Sequence, residues 1–179
     1  FDHVFSMQHE QHQFVDGPAG RPRRDGDDLV QLESRLGLQQ GLEVVAPPQG
    51  CCGALSVHAG RLEEGKEFAR RLVDAFDDVD LVVVNTSGCG SHLKELGWLL
   101  GDARAESFAA KVRGVGELLA ETPPRAARHP LQLRVALQDS CHLRHAQRLP
   151  LASLGSLGRI PGLDVVEPAE QDLCCGSAG

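Results

Sequence analysis

Six cysteines set this sequence apart: Cys51, Cys52, Cys89, Cys141, Cys174 and Cys175. Four of them form two adjacent pairs, each followed by glycine, in Cys51-Cys52-Gly53 and Cys174-Cys175-Gly176. Adjacent Cα atoms lie about 3.8 Å apart across a trans peptide, below the usual disulfide span of about 4.4–6.8 Å, so a vicinal disulfide is strained. Iron–sulfur centres take thiolates from several loops, and these spacings supply them. Two neighbouring thiolates point apart in an extended strand. They converge on one centre only if the backbone turns, and the glycine after each pair permits that turn. Inert buried thiols explain a lone cysteine better than two repeated Cys-Cys-Gly turns.

Other chemistries are weaker. No Cys-x-x-Cys zinc knuckle is present, and Cys89-Gly-Ser-His92 comes nearest. His58, His92, His142 and His145 accompany the cysteine loops as candidate accessory ligands or proton carriers, against the simpler reading of polar loop histidines. The Gly88-Cys89-Gly90 turn lacks both the dinucleotide-binding glycine pattern and a P-loop lysine. No G-x-S-x-G elbow follows a strand, and no residue is assigned a catalytic role. Cluster ligation, structural zinc binding and thiol–disulfide exchange through the vicinal pairs all stay open on the residues alone.

Strands and helices must bring these loops together. Leu42–Ala46, Asp80–Asn85, Leu131–Leu137 and Gly162–Val166 read as strands, the second of them continuous and apolar as central parallel strands are. Helices are expected over Arg61–Phe76, about Ser91–Leu100, Glu106–Ala120 and, broken by glycine, roughly Pro150–Arg159. Thr86–Gly90 is expected as a turn. Strand–helix alternation argues for an α/β fold with a largely parallel sheet. Every cysteine then follows the C-terminal end of a strand, the edge where open α/β sheets bind ligands. A helix N-terminus beside such a loop favours thiolate.

The segment Gly41–Ala54, a strand, prolines and Cys-Cys-Gly, recurs as Gly162–Ser177 with two more residues in its loop. Two similar Rossmann-like lobes are therefore expected. Their bounds are 29–125 and 126–179, preceded by a His-containing leader, 1–28, with no helical or alternating apolar period. The leader is expected to be weakly ordered, and the chain to be a fragment at both ends.

With 18 basic and 25 acidic residues the net charge is −7, which argues against a nucleic-acid surface. Aromatics make up 4%, with no Tyr and one Trp, too few for stacking platforms. Hydrophobic residues make up 41%, enough for a real core. No apolar run approaches the roughly 20 residues of a membrane span.

The sequence resembles the cysteine-rich CCG domain, in the form found in glycolate oxidase iron–sulfur subunits. The matching pieces are Gln49–Leu55 with His58-Ala59-Gly60, Asn85–Cys89 with His92–Glu95, Asp139–Leu143 with His145-Ala146-Gln147, Ile160–Leu163, and Cys174–Gly179. The resemblance implies an electron-transfer subunit, passing electrons from flavin-bearing glycolate oxidase subunits toward the quinone pool. It implies all six cysteines as ligands of a 4Fe-4S cluster, noncubane in the related heterodisulfide reductase; zinc, left open by the residues themselves, is the alternative metal. It also implies a cytoplasmic, bacterial protein that meets the membrane through partner subunits, while the isolated piece is inactive. In three places the chain departs from the family pattern. No cysteine precedes Cys51, His92 stands where a second cysteine would follow Cys89, and the second repeat stops at Gly179.

Overall fold

The computed structural model describes residues 3–7, 42–122, 127–150 and 153–173. The run Leu81–Val84 forms a strand with three of its four residues buried, as a continuous apolar segment in a parallel sheet should be. In chain order the first sheet is built from β1 (His3–Met7), β2 (Glu43–Val45), β3 (Leu81–Val84) and β4 (Val112–Gly114). Its spatial order is β2-β1-β3-β4 and every pairing is parallel. The second sheet pairs β5 (Leu133–Ala136) with β6 (Leu163–Val166), also parallel, from Leu133 opposite Leu163 to Ala136 opposite Val166.

Helices α1 (Ala54–His58) and α2 (Leu62–Ala75) connect β2 to β3. Helices α3 (Ser87–Lys94), α4 (Leu96–Leu100) and α5 (Ala103–Lys111) carry the chain from β3 to β4, and α6 (Val115–Glu121) follows. A π-helical turn, His142–Ala146, comes after β5, and α7 (Leu154–Leu157) precedes β6. Strands alternating with helices and pairing in parallel make this an α/β fold, as the sequence led one to expect.

The core gathers under the first sheet. Ala69, Leu72 and Val73 of α2 pack there with Phe76, Val82, Leu93, Leu96, Phe108 and Val112. The Phe76 and Phe108 rings lie 6.2 Å apart in a tilted arrangement. Among the described residues, all the buried apolar side chains fall between Cys52 and Val112.

Several expectations need correction. The leader contributes β1, which sits inside the sheet between β2 and β3. A strand of five residues is too short to register as a period, yet the facing edges of β2 and β3 offer backbone groups that require partners. The rest of the leader lies outside the described residues. The helix expected over Glu106–Ala120 is interrupted by β4. Its positions Phe108, Val112, Val115 and Leu119 mimic one helical face, but Val112–Gly114 pairs with β3 instead. Thr86–Gly90 is not a separate turn: the helix already begins at Ser87, so Cys89 lies in its first turn. The helix expected from Pro150 shrinks to Leu154–Leu157.

Candidate metal centre

Each cysteine among the described residues lies beyond the C-terminal end of a parallel strand: Cys51 and Cys52 after β2, Cys89 after β3, Cys141 after β5. Gly53 turns the first loop. It adopts φ +86°, in the left-handed region that L side chains resist, and a Cβ there would meet Gly65 O and Phe68 Cβ at 2.9 Å. The turn lets the Gly53 N–H donate to Cys51 Sγ at 3.4 Å. It also sends the Cys52 side chain inward, to 3% exposure.

There Cys52 Sγ meets Cys89 Sγ at 3.2 Å, across 37 positions of sequence. Cys51, Cys52, Cys89 and Cys141 are thiols rather than disulfides. The hydrogen bond to Cys89, burial and the adjacent sulfur push the Cys52 thiol far above its ordinary value. Two thiols this close resist ionising together, and a bound cation reverses that preference by neutralising both sulfurs. Soft sulfur donors are the donor set of an iron–sulfur or zinc centre.

The histidines separate into two kinds. His92, on α3 with Cys89, is 8% exposed, and its Nε2 has no hydrogen-bond partner. Burial pushes its pKa down, against a smaller opposing influence of the Cys52 backbone. His58 and His145 are exposed. The His58 ring stacks on His142 with centroids 6.5 Å apart and planes 10° apart, linking the first cysteine loop to the loop of Cys141.

A junction unmarked in the sequence brings Cys141 near. Ser140 Oγ donates to Ser87 Oγ at 2.5 Å, and Gln147 Nε2 donates to the Ser87 carbonyl at 2.9 Å. Ser140 also accepts from the Leu143 N–H at 3.3 Å, which starts the π-helical turn. The signal was present, since both serines stand just before a cysteine at a strand end, but the contact between them was not. Beside this junction lies a cavity of about 490 Å³, lined in part by Thr86, Ser87, Glu117, Arg128, Gln147 and Ser156.

The structure thus brings the sulfurs of Cys52 and Cys89 together, with Cys51 in the same turn and His92 one helical turn beyond Cys89, and ties the Cys141 loop to α3 through the Ser87–Ser140 contact. Cys174 and Cys175 lie outside the described residues. Among the described residues, no three His, Cys, Asp or Glu side chains converge tightly enough to hold one metal ion.

Residues 26–94 and 135–179 match the family described as "Cysteine-rich domain", CCG. The chain is 39% identical over 149 residues to the "Probable glycolate oxidase iron-sulfur subunit" of Bacillus subtilis (strain 168), covering 78% of this chain and 34% of that protein. It is 32% identical over 152 residues to the "Glycolate oxidase iron-sulfur subunit" of Escherichia coli (strain K12), covering 78% and 37%. Against one component of the CoM/CoB fumarate reductase of Methanothermobacter marburgensis it is 32% identical over 142 residues, covering 79% and 28%. The chain therefore spans about a third of the length of these relatives. No solved structure matches it.

Proposed function

The chain belongs to the CCG cysteine-rich domain family, and from that membership we propose that it is part of an iron–sulfur electron-transfer subunit of an oxidoreductase. The approach of Cys52 Sγ to Cys89 Sγ at 3.2 Å, in a buried site at strand C-termini, carries this reading. The similarity to proteins described as iron–sulfur subunits supports it.

When bound, the cluster takes up and releases electrons one at a time. The chain's own part is to hold and shield it. Cys52 and Cys89 give up their thiol protons to become ligands, which couples metal uptake to pH. Cys52 belongs to the apolar core with Ala54, Leu72 and Leu93, which shields its own sulfur. We assign Cys51, Cys52 and Cys89 to a first centre within 29–125, and Cys141, Cys174 and Cys175 to a second within 126–179. Each centre would hold a cluster of 4Fe-4S type. Electrons arrive from flavin-bearing subunits that oxidise glycolate and leave toward the quinone pool. The complex is cytoplasmic and touches the membrane through its partners; among the described residues no helix is long and apolar enough to cross one.

Anaerobic purification with iron, sulfide and zinc analysis tests the reading. Iron with acid-labile sulfide is expected. Stoichiometric zinc would make the module structural, and metal-free protein with reducible Cys-Cys pairs would make it a thiol–disulfide protein. The purified chain alone should show no glycolate turnover, because it carries no flavin or nicotinamide fingerprint. In the intact complex, Cys141→Ala or Cys175→Ala should slow electron passage to quinone more than flavin reduction. Unchanged turnover in both variants would sink the relay.

A further inference from the structure

We propose that the cavity beside the Ser87–Ser140 junction binds a small organic carboxylate that carries a hydroxyl group on a short hydrocarbon body. The cavity, about 490 Å³, lies at the C-terminal ends of β3 and β4, the edge where open α/β sheets take ligands. Its volume falls within the roughly 300–1,000 Å³ of small-molecule sites. Among the described residues no cysteine lines it, so the proposal does not depend on what the sulfurs hold. Three of the six buried side-chain atoms left without a hydrogen-bond partner among the described residues belong to this one lining: Thr86 Oγ1, Arg128 Nε and Gln147 Oε1. Buried polar groups are normally paired, and three such gaps around one space point to a missing occupant.

Arg128 supplies the charge. Its Nη2 donates at 3.2 Å to the hydroxyl of Ser156, a residue only 5% exposed. Its Nε is buried and unpartnered, and among the described residues no carboxylate pairs with it. A guanidinium anchored at one nitrogen, with a buried N–H to spare, is short of an anion. Glu117 on the same wall is not that anion, because its Oε2 accepts from Lys94 Nζ and from the Gly114 N–H, both at 2.6 Å.

The other two atoms call for a hydroxyl. Gln147 gives its amide N–H to the Ser87 carbonyl, which orients the amide and leaves Oε1 as a free acceptor. Thr86 stands at the N-cap of α3, yet its side chain makes no cap bond. A ligand hydroxyl can donate to Gln147 and accept from Thr86 at once. An ammonium fits less well, since the one carboxylate on the wall is already engaged. Val84, Val115, Leu119 and Leu157 give the apolar wall that a hydrocarbon body needs.

The test titrates the full-length subunit with β-hydroxyoctanoate, octanoate, octanol and inorganic phosphate, read by calorimetry. β-Hydroxyoctanoate should bind saturably and tighter than octanoate, octanol should bind weakest of the three, and phosphate should not compete. Arg128→Met should weaken both carboxylates about tenfold or more and leave octanol unchanged, as loss of a charged hydrogen bond predicts. Thr86→Val should weaken β-hydroxyoctanoate about two- to tenfold and leave octanoate unchanged, as loss of a neutral one predicts. A misfolded variant, or fatty-acid adsorption to the surface, cannot produce these crossed losses. No saturable binding, equal affinity for the acids and octanol, or losses that do not separate the two variants overturns the proposal. Phosphate competing as well as octanoate would make this an inorganic-anion site and overturns the assigned class.

Discussion

Cys52 and Cys89 illustrate how little of a site's chemistry belongs to a side chain in isolation. Contact with Cys89 and burial push the Cys52 thiol well above its ordinary value, so its thiolate is strongly disfavoured. Cys52→Ala or Cys89→Ala should therefore cost more metal affinity than the roughly 10–100-fold loss typical of a supporting residue. Competition with a chelator, read by absorbance, measures it. A second charge effect lies far from the sulfurs. The Arg104 guanidinium donates to Asp77 at 3.1 Å and also bonds Asp74, and it holds the Asp77 carboxyl below the usual carboxylate range. Because the folded value is the lower one, its contribution to stability is present above the ordinary carboxylate pKa. It is lost as pH falls through the depressed value. Both partners are exposed, so salt weakens the effect. In a carboxyl-carbon NMR titration, Arg104→Gln should move the Asp77 midpoint upward, and no movement would exclude the guanidinium as the cause.

Among the elements, the tightest constraint is the crossing of α1 and α2. Gly53 needs its left-handed conformation to turn Cys52 inward, and Gly65 lets Val57 approach so closely that a Cβ would lie 2.4 Å from Val57 Cγ2. Gly53→Ala should destabilise the fold by about 1–3 kcal/mol, since it adds backbone strain to a clash with α2. Urea unfolding of the metal-free protein reads this, and a change within about 0.5 kcal/mol, the range of ordinary surface substitutions, would show that the turn relaxes freely. The sequence already marked Gly53 as a turn after the cysteine pair. It did not mark Gly65, because a glycine within a helix announces a close neighbour without saying which one.

For the molecule as a whole, burial is lopsided. Phe76 is fully buried, whereas Leu133 on β5 is 53% exposed. Phe76→Ala should cost about 3–5 kcal/mol, the usual price of deleting a core aromatic. Leu133→Ala should change stability by less than about 1 kcal/mol, as expected where little apolar surface leaves water. Denaturation midpoints of the two variants check the contrast. Hydrogen exchange adds a second reading: if the π-helical turn is held by Ser87 and Gln147, loosening the first sheet with Phe76→Ala should speed exchange across His142–Ala146 as well. Unchanged protection there would mean that the turn stands without the first sheet.

The α/β class, the β2, β3, β5 and β6 strands, the loops of Cys51, Cys52, Cys89 and Cys141 after β2, β3 and β5, and the family itself were legible in the residues. These properties rest on local apolar runs, glycines and short motifs, which act over a few positions of chain. The insertion of His3–Met7 between β2 and β3, the break of a helix-like stretch at Val112, the meeting of Cys52 with Cys89 and the Ser87–Ser140 junction were not legible. Each depends on which distant segments share an edge or a pocket. Backbone pairing is indifferent to side-chain pattern at short strands, and packing is set by shapes that no single segment carries. The cysteine motifs pointed to the family, and the fold chose which sulfurs would meet.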